Sequence, residues 1–255
     1  MRTHHDAVLR QFDPQAQAYL ASAVHAAGPD LERARELVRE ALPRRASIVD
    51  VGCGAGHLAF ALAPHVTRVA AVDPAPAMRA TVDAAARERG FTNIETHSGG
   101  AASLPFPSST FCAAASRYSA HHWLDVPGAL HEMRRVLKPA GFVLLIDVLG
   151  ADSPLVNTHL QALELLRDPS HVRNLEAAEW RAALEGAGFT LLEHAVWPTR
   201  IEFAAWIERM RTPPESAAAI RRVELGAPRE VADALEIAPD GSFTVRTGLF
   251  WARAA

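Results

Sequence analysis

The chain has 255 residues, 49% hydrophobic and 22% charged, with a formal net charge of −3. That length fits one large domain, or a core with a modest cap, and either can bury a sizeable core. The charge balance carries no basic stripe, so nucleic acid is not expected as a partner.

In chain order, the start Met1-Arg2-Thr3-His4-His5-Asp6 lacks the apolar stretch of a secretory signal and reads as a disordered terminus. Residues 13–26, rich in Ala and Gln, read as a helix ended by Gly28-Pro29. Asp30 then caps an amphipathic helix to about residue 41, stopped by Pro43. Residues 1–42 are thus expected to form a helical lid segment. From Ser47 the rhythm changes. Short apolar strands at 47–51, 66–72, 93–97, 110–117 and 141–149 alternate with helices at 56–63, 75–89 and 126–137, the last stopped by Pro139 and Gly141. Strands apolar on both faces, alternating with helices, indicate a parallel sheet covered on both sides. The run Phe142-Val143-Leu144-Leu145-Ile146 falls far short of the roughly 18 residues that span a bilayer, so no membrane segment is expected. The only cysteines, Cys53 and Cys112, make a disulfide framework implausible and a cytoplasmic setting the simpler one.

After residue 149 the alternation loosens. A helix at 154–166, a loop at Arg167-Asp168-Pro169-Ser170-His171, a helix at 175–186 and a strand at 189–197 lead into a mostly helical stretch, 202–235. Pro213-Pro214 and Pro228 break that stretch, and 242–251 is β-rich. The expected fold is α/β: a doubly wound, mostly parallel seven-stranded sheet with helices on both faces. Residues 43–150 would form the cofactor-binding core. Residues 151–255 would add the remaining strands and an inserted helical cap over the substrate site.

The glycine loop Asp50-Val51-Gly52-Cys53-Gly54-Ala55-Gly56 follows a predicted strand and opens a helix. Glycines let the backbone turn sharply and approach a ligand, and the helix start offers free N–H groups. The next strand ends in Asp73-Pro74, where a carboxylate can accept both hydroxyls of a ribose. Together these point to an adenosine-type ligand. A dinucleotide loop would place its third glycine at position 57, which is His57, and the G-K-[ST] of a phosphate loop is absent.

The pattern D-x-G-x-G-x-G with its following acid resembles the first motifs of class I S-adenosylmethionine-dependent methyltransferases. Ser103-Leu104-Pro105-Phe106-Pro107 and Leu130-His131-Glu132-Met133-Arg134-Arg135-Val136-Leu137-Lys138-Pro139-Ala140-Gly141 resemble later motifs of the small-molecule type, related to the ubiquinone/menaquinone-biosynthesis methyltransferases. The resemblance implies S-adenosylmethionine as cofactor and a small-molecule methyl acceptor as partner; it leaves the oligomeric state open. It also implies roles. Asp50 and Gly52 would hold the methionine end, beside Cys53, a small residue tolerated among the glycines. Gly54 and Gly56 would lie under the ribose and Asp73 would grip it. Pro74 and Met78 would pack near the adenine, and Ser116-Arg117 would face the methionine portion. The family often has acids where this chain has Gly100 and Ala102, so the adenine would be read by backbone around Gly100, Ala101 and Ala102.

For the chemistry, Tyr118-Ser119-Ala120-His121-His122-Trp123 follows the fourth strand, where open α/β sheets bind ligands. His121 or His122 could serve as general base, or both could simply pack in the loop. Asp147 reads more readily as a satisfied strand-end carboxylate than as a substrate contact. Asp168, His171 and Arg173 could line the cap, and Trp197, Trp206 and Trp251 read as core. Phe12 and Tyr19 could fold over the cofactor, where an aromatic face attracts a sulfonium by about 0.5–2 kcal/mol, or merely pack on the sheet. The alternatives are an NAD(P)-dependent oxidoreductase and a non-catalytic S-adenosylmethionine-binding protein.

Overall fold

The computed structural model describes residues 3–255; Met1 and Arg2, the first two positions of the expected lid, lie outside the described residues. The N-terminal segment forms four helices rather than two. Thr3 caps α1 (His4–Phe12) in a capping box with Asp6, accepting its N–H at 3.2 Å and donating its own at 2.9 Å. His4 and His5 therefore open a capped helix and are not a disordered end. A 3₁₀ turn at Asp13–Gln15 interrupts the helix expected over 13–26, because Pro14 has no N–H to give a continuous ladder. α2 (Ala16–Leu20), α3 (Ala23–Ala26) and α4 (Pro29–Ala41) follow. Gly28, not Asp30, is the cap of α4. The Asp30 carboxylate is spent elsewhere, buried 2.5 Å from Arg117 Nε.

The core then alternates β1 (Ser47–Val51), α5 (His57–Leu62), β2 (Arg68–Val72), α6 (Pro76–Glu88), β3 (Ile94–His97), β4 (Phe111–Arg117), α7 (Val126–Val136) and β5 (Leu137–Val148). The chain continues through α8 (Pro154–Arg167), α9 (Ala177–Gly186), β6 (Phe189–Ile201), α10 (Phe203–Arg209), α11 (Pro214–Leu225), α12 (Arg229–Ala234) and β7 (Phe243–Ala254). Strand order is β3-β2-β1-β4-β5-β7-β6. The sheet is mixed: β1 to β5 pair in parallel, whereas β7 runs antiparallel to both β5 and β6. β6 runs four residues past the expected end at 197, because Pro198 to Ile201 still pair with Arg246 to Phe243.

Alternate side chains divide the core. Ile48, Val69, Ala71, Ala113 and Leu144 pack with Leu31 and Leu37 of α4, Leu58 of α5 and Val82 of α6. Val49, Ala70, Val72, Ala114 and Leu145 pack with Leu130 and Met133 of α7 and Trp180 of α9. A third cluster joins Val156 and Leu160 of α8, Trp206, Ile220 and Val231 to Phe243 and Val245, and packs the C-terminal helices expected to form a cap onto the first residues of β7. Among the described residues no helix is long and apolar enough to cross a membrane.

The sheet order reverses beside β1, whose neighbours are β2 and β4, and this opens a crevice at the strands' carboxyl ends. Arg117, the last residue of β4, pins α4 and the lid over that crevice through Asp30 and the His25 carbonyl, 2.9 Å from Nη1. Asp30→Ala leaves a guanidinium buried without its counter-ion, which costs about 3–5 kcal/mol. The urea midpoint should fall accordingly, and the double variant Asp30→Leu/Arg117→Met should recover most of the loss.

Candidate active site

The glycine loop is folded back onto β2: the N–H groups of Gly52 and Cys53 both donate to the Val72 carbonyl, at 2.8 and 3.0 Å. Gly52, Gly54 and Gly56 hold φ of 69°, 51° and 89°, a left-handed conformation that favours glycine. They differ in surroundings. A Cβ on Gly52 would fall 1.9 Å from Ser119 Oγ, and one on Gly56 2.9 Å from Val82, but a Cβ on Gly54 would meet nothing within 4 Å. Gly54 presents bare backbone to open space.

That space is a cavity of about 350 Å³ under the lid. Asp73 stands at its rim with its carboxylate oriented by two backbone donors, Gly54 N–H to Oδ2 and Ala75 N–H to Oδ1, both 2.9 Å. Burial raises its pKa, and those N–H groups oppose the shift. Each oxygen keeps a lone pair for a ligand hydroxyl. Asp50 lines the floor, fully buried, and neither of its oxygens has a partner in good hydrogen-bond geometry, the Ala59 N–H offering it only a weak opposing pull. Burial pushes its pKa up to about 7. Arg117 lines the same cavity. Its Nε and Nη1 are engaged, but Nη2 is buried without a partner. An orphaned carboxylate and an orphaned guanidinium nitrogen on one cavity wall match the ammonium and carboxylate of an amino-acid moiety, and so the residues present fit S-adenosylmethionine.

Helices α1 to α3 cover one side of the cavity. His4 Nε2 meets the His122 carbonyl at 2.9 Å, His57 Nε2 meets the Tyr19 carbonyl at 2.9 Å, and Ala77 N–H donates to Asp13 at 2.9 Å. Tyr19 OH donates to Met210 Sδ, 2.9 Å away, tying the lid to the cap. Phe12, Tyr19 and Leu9 pack on Ala55, Ala75 and Met78.

The two histidines after β4 diverge. His121 turns away from the cavity onto Asp147, with Nδ1 2.6 Å from Oδ1 and its N–H 3.2 Å from Oδ2. Burial works against its charge, but Asp147 outweighs it and holds the His121 pKa above its ordinary value. His122 faces the cavity, with Nδ1 3.0 Å from the Ser170 carbonyl and Nε2 3.8 Å from Asp168. Burial, and then the neighbouring His121, push its pKa down to about 4. Nδ1 therefore donates to the carbonyl, and Nε2 keeps its lone pair.

Of the residues singled out in the sequence, Phe12, Tyr19, Asp50, Gly52, Cys53, Gly54, Asp73, Pro74, Met78, Gly100, Ala101, Ala102, Arg117 and His122 line the cavity. Gly56, Ser116 and His121 do not. Gly56 packs on Val82 and Phe60, and Ser116 Oγ donates to the Val51 carbonyl at 2.7 Å. Asp168 and His171 lie buried behind His122, Arg173 pairs with Glu179 at 2.7 Å, and no cap residue lines the cavity. Sequence reasoning missed His4, His5, His25 and His57, and gave Tyr118 and Trp123 no role of their own within the stretch after β4. Only His57 carried a signal, as the bulky residue where a dinucleotide loop would need glycine.

The glycine loop, the acid at the end of β2 and the crevice beside β1 define an α/β enzyme that binds an adenosine-type cofactor. A model described as a methyltransferase domain matches residues 49–145. YafE of Escherichia coli (strain K12) is 39% identical over 193 residues, 76% of this chain and 93% of that protein. YcgJ of Bacillus subtilis (strain 168), named an uncharacterized methyltransferase, is 35% identical over 204 residues, 80% of each chain. Its crystal structure matches with a TM-score of 0.82 at 31% identity, over 88% of this chain and 98% of that one. Demethylmenaquinone methyltransferase of Lactococcus lactis subsp. lactis (strain IL1403) is 32% identical over 139 residues, 53% of this chain and 54% of that protein. The chain belongs to the class I methyltransferases and is an S-adenosylmethionine-dependent enzyme. The oxidoreductase and non-catalytic alternatives lose their support.

Because burial raises the Asp50 pKa above its unfolded value, the folded protein binds that proton more tightly than the unfolded chain does. The stability this contributes is complete below about pH 4 and is lost as pH rises through about 7. Cofactor-free protein should therefore melt at a lower temperature at pH 8 than at pH 5, and Asp50→Asn should flatten that slope. An unchanged slope in the variant would mean Asp50 is not the titrating group.

Proposed function

We propose that this chain methylates a small organic molecule inside the lidded cavity, and that its own residues act by holding both reactants and shutting out water. The observation that carries this reading is the pair of orphaned groups, the Asp50 carboxyl and Arg117 Nη2, on residues that line one cavity. The cofactor, when bound, supplies a methyl group already activated on a sulfonium. Asp50 would accept from its ammonium and Arg117 would donate to its carboxylate. Asp73 would take the ribose hydroxyls over the bare backbone of Gly54, and Pro74, Met78 and the stretch from Gly100 to Ala102 would flank the adenine. Gly100 is not in a left-handed conformation, and a Cβ there meets nothing within 4 Å, so the turn itself does not demand glycine.

On the acceptor side, Phe12, Tyr19, His25, His57 and His122 supply aromatic and imidazole surface, which suits an acceptor whose reacting end is largely apolar. The demethylmenaquinone methyltransferase among the relatives is consistent with such an acceptor. A net charge of −3 and a cavity of about 350 Å³ favour a small molecule over nucleic acid, and two free thiols suit the cytoplasm. Residues 1–42 act as the lid, and the C-terminal helices back that lid through Met210.

Two measurements test these assignments. Calorimetry should detect binding of the demethylated cofactor, S-adenosylhomocysteine. Asp73→Ala removes two hydrogen bonds to a charged acceptor, each worth about 1.5–3 kcal/mol, so affinity should drop by about a hundredfold or more. Unchanged affinity would overturn the ribose assignment.

His122 Nε2 is the proton acceptor in this reading, with Asp168 3.8 Å away to stabilise the imidazolium that forms. Once an acceptor is known, His122→Ala should lower kcat by about 10²–10⁴ with little change in cofactor affinity. His121→Ala should act only through the position of His122. Parent-like turnover and pH profile in His122→Ala would leave alignment of the reactants as the whole of the catalysis.

A further inference from the structure

A second concavity of about 420 Å³ opens on the surface beside the cavity, and His57 lines both. Its walls are Arg35 of α4 and Arg89, just past α6; its floor is Phe60 and Phe91, stacked 5.9 Å apart at 15°. The Arg89 guanidinium lies 4.4 Å from the Phe60 ring centre, and His65 completes the rim. None of the lining residues is acidic. Among the described residues neither Arg35 nor Arg89 is in a salt bridge, although Arg33, two residues before Arg35, pairs with Glu36 and Glu193. The local field is positive: His65 is pushed below its ordinary pKa by burial and then by Arg39, Arg35 and Arg44.

The His57 imidazole, shared by groove and cavity, stacks on His25 with ring centres 6.2 Å apart, and Ala26 also lines the groove. The cavity is near the lower end of the roughly 300–1,000 Å³ that one small ligand occupies, and the cofactor would fill most of it. A second reactant of any length therefore needs space elsewhere, and the groove is the adjoining space.

We propose that this groove is the outer half of the acceptor site and takes an anionic group of the acceptor, a phosphate or a carboxylate, between Arg35 and Arg89, with the adjoining part of the molecule lying on Phe60 and Phe91. The acceptor is then an elongated organic anion whose reacting end passes His57 into the cavity. Two guanidiniums fork onto anionic oxygens, while the stacked rings take planar or apolar carbon. This inference rests on the methyltransferase reading and adds the chemistry of the acceptor to it.

The test titrates the protein, saturated with S-adenosylhomocysteine, with 1-naphthyl phosphate, 1-naphthoate, neutral 1-naphthol and inorganic phosphate. One or both anionic naphthyl probes should bind at least about tenfold more tightly than naphthol, equivalent to about 1.4 kcal/mol, and the stronger of the two identifies the anion. Arg35→Gln/Arg89→Gln should abolish that preference while leaving S-adenosylhomocysteine affinity unchanged. The preference should also shrink with added salt. Equal binding of the anions and naphthol, or a preference that survives in the double variant, overturns the proposal. Inorganic phosphate binding as tightly as the naphthyl anions also overturns it, since the groove would then be a bare anion site. Failure of S-adenosylhomocysteine to bind at all would instead strike the cofactor assignment, and that is measured separately in the first step.

Discussion

One guanidinium decides where the upper half of the site stands. Arg117 ends β4 at the sheet's switch point and divides its donors among three tasks. Nε goes to Asp30 of α4, Nη1 to the His25 carbonyl, and Nη2 is left buried without a partner. The side chain also lies 4.5 Å from the Tyr118 ring, which fixes its plane. A buried cation is tolerated only when it is paired and hydrogen-bonded. Asp30 meets the charge requirement, and the lid carbonyl uses a donor that would otherwise be wasted. Helices α1 to α3 are short and bury few side chains of their own, so this polar anchor, with His4, Asp13 and His57, supplies much of what holds them over the strand ends.

A second division of charge governs the reacting side. His121, His122 and His171 crowd together, with ring centres 4.2 Å apart between the first two and 5.7 Å between the first and third. Such a cluster cannot carry three protons in a buried setting. Asp147 draws the proton to His121, and burial together with that charge pushes His122 to about 4 and His171 to about 3. The imidazole that faces the cavity is left neutral because its neighbour is not. A neutral imidazole can accept a proton at physiological pH, though only weakly until Asp168 stabilises the product. The loop from Asp168 to His171 therefore matters to the site without touching the cavity.

The legible parts of the chain were those with local causes. β1, β2, β4 and the helices after them follow from short apolar runs punctuated by Gly and Pro, and the glycine loop and Asp73 follow from backbone demands at a strand–helix turn. What the sequence did not disclose depends on partners far along the chain. Asp30 reads as a helix cap, since Asp is a good one; only the arrival of Arg117, 87 positions away, makes it a buried counter-ion instead. His4, His5 and His25 look like ordinary polar residues at helix ends, and nothing nearby says that a cavity lies beneath them. The antiparallel pairing of β7 and the extra length of β6 arise from each other, as a hairpin whose helical insertion hides the link. Ser116 and Gly56 were picked by motif position, yet both serve packing and strand-to-strand hydrogen bonding.

The loss of acids at Gly100 and Ala102 shifts where cofactor affinity would have to come from. Backbone carbonyls and N–H groups at that turn can still read the adenine edge, but Gly100 spends its carbonyl on Ser103 N–H at 3.1 Å. Pro74 and Met78 offer area rather than direction. The opposite end is different. Asp50 is desolvated before any ligand arrives, and so is Arg117 Nη2, on a guanidinium whose charge Asp30 already meets; a buried carboxylate left unpaired costs far more than a neutral hydrogen bond returns. Filling both positions at once relieves two penalties that the fold already bears, so the amino-acid end of the ligand would dominate the binding free energy. It follows that the strained element here is the cofactor-free protein. The raised pKa of Asp50 is one visible sign of that strain, since a protonated carboxyl is how the empty floor of the cavity reduces it.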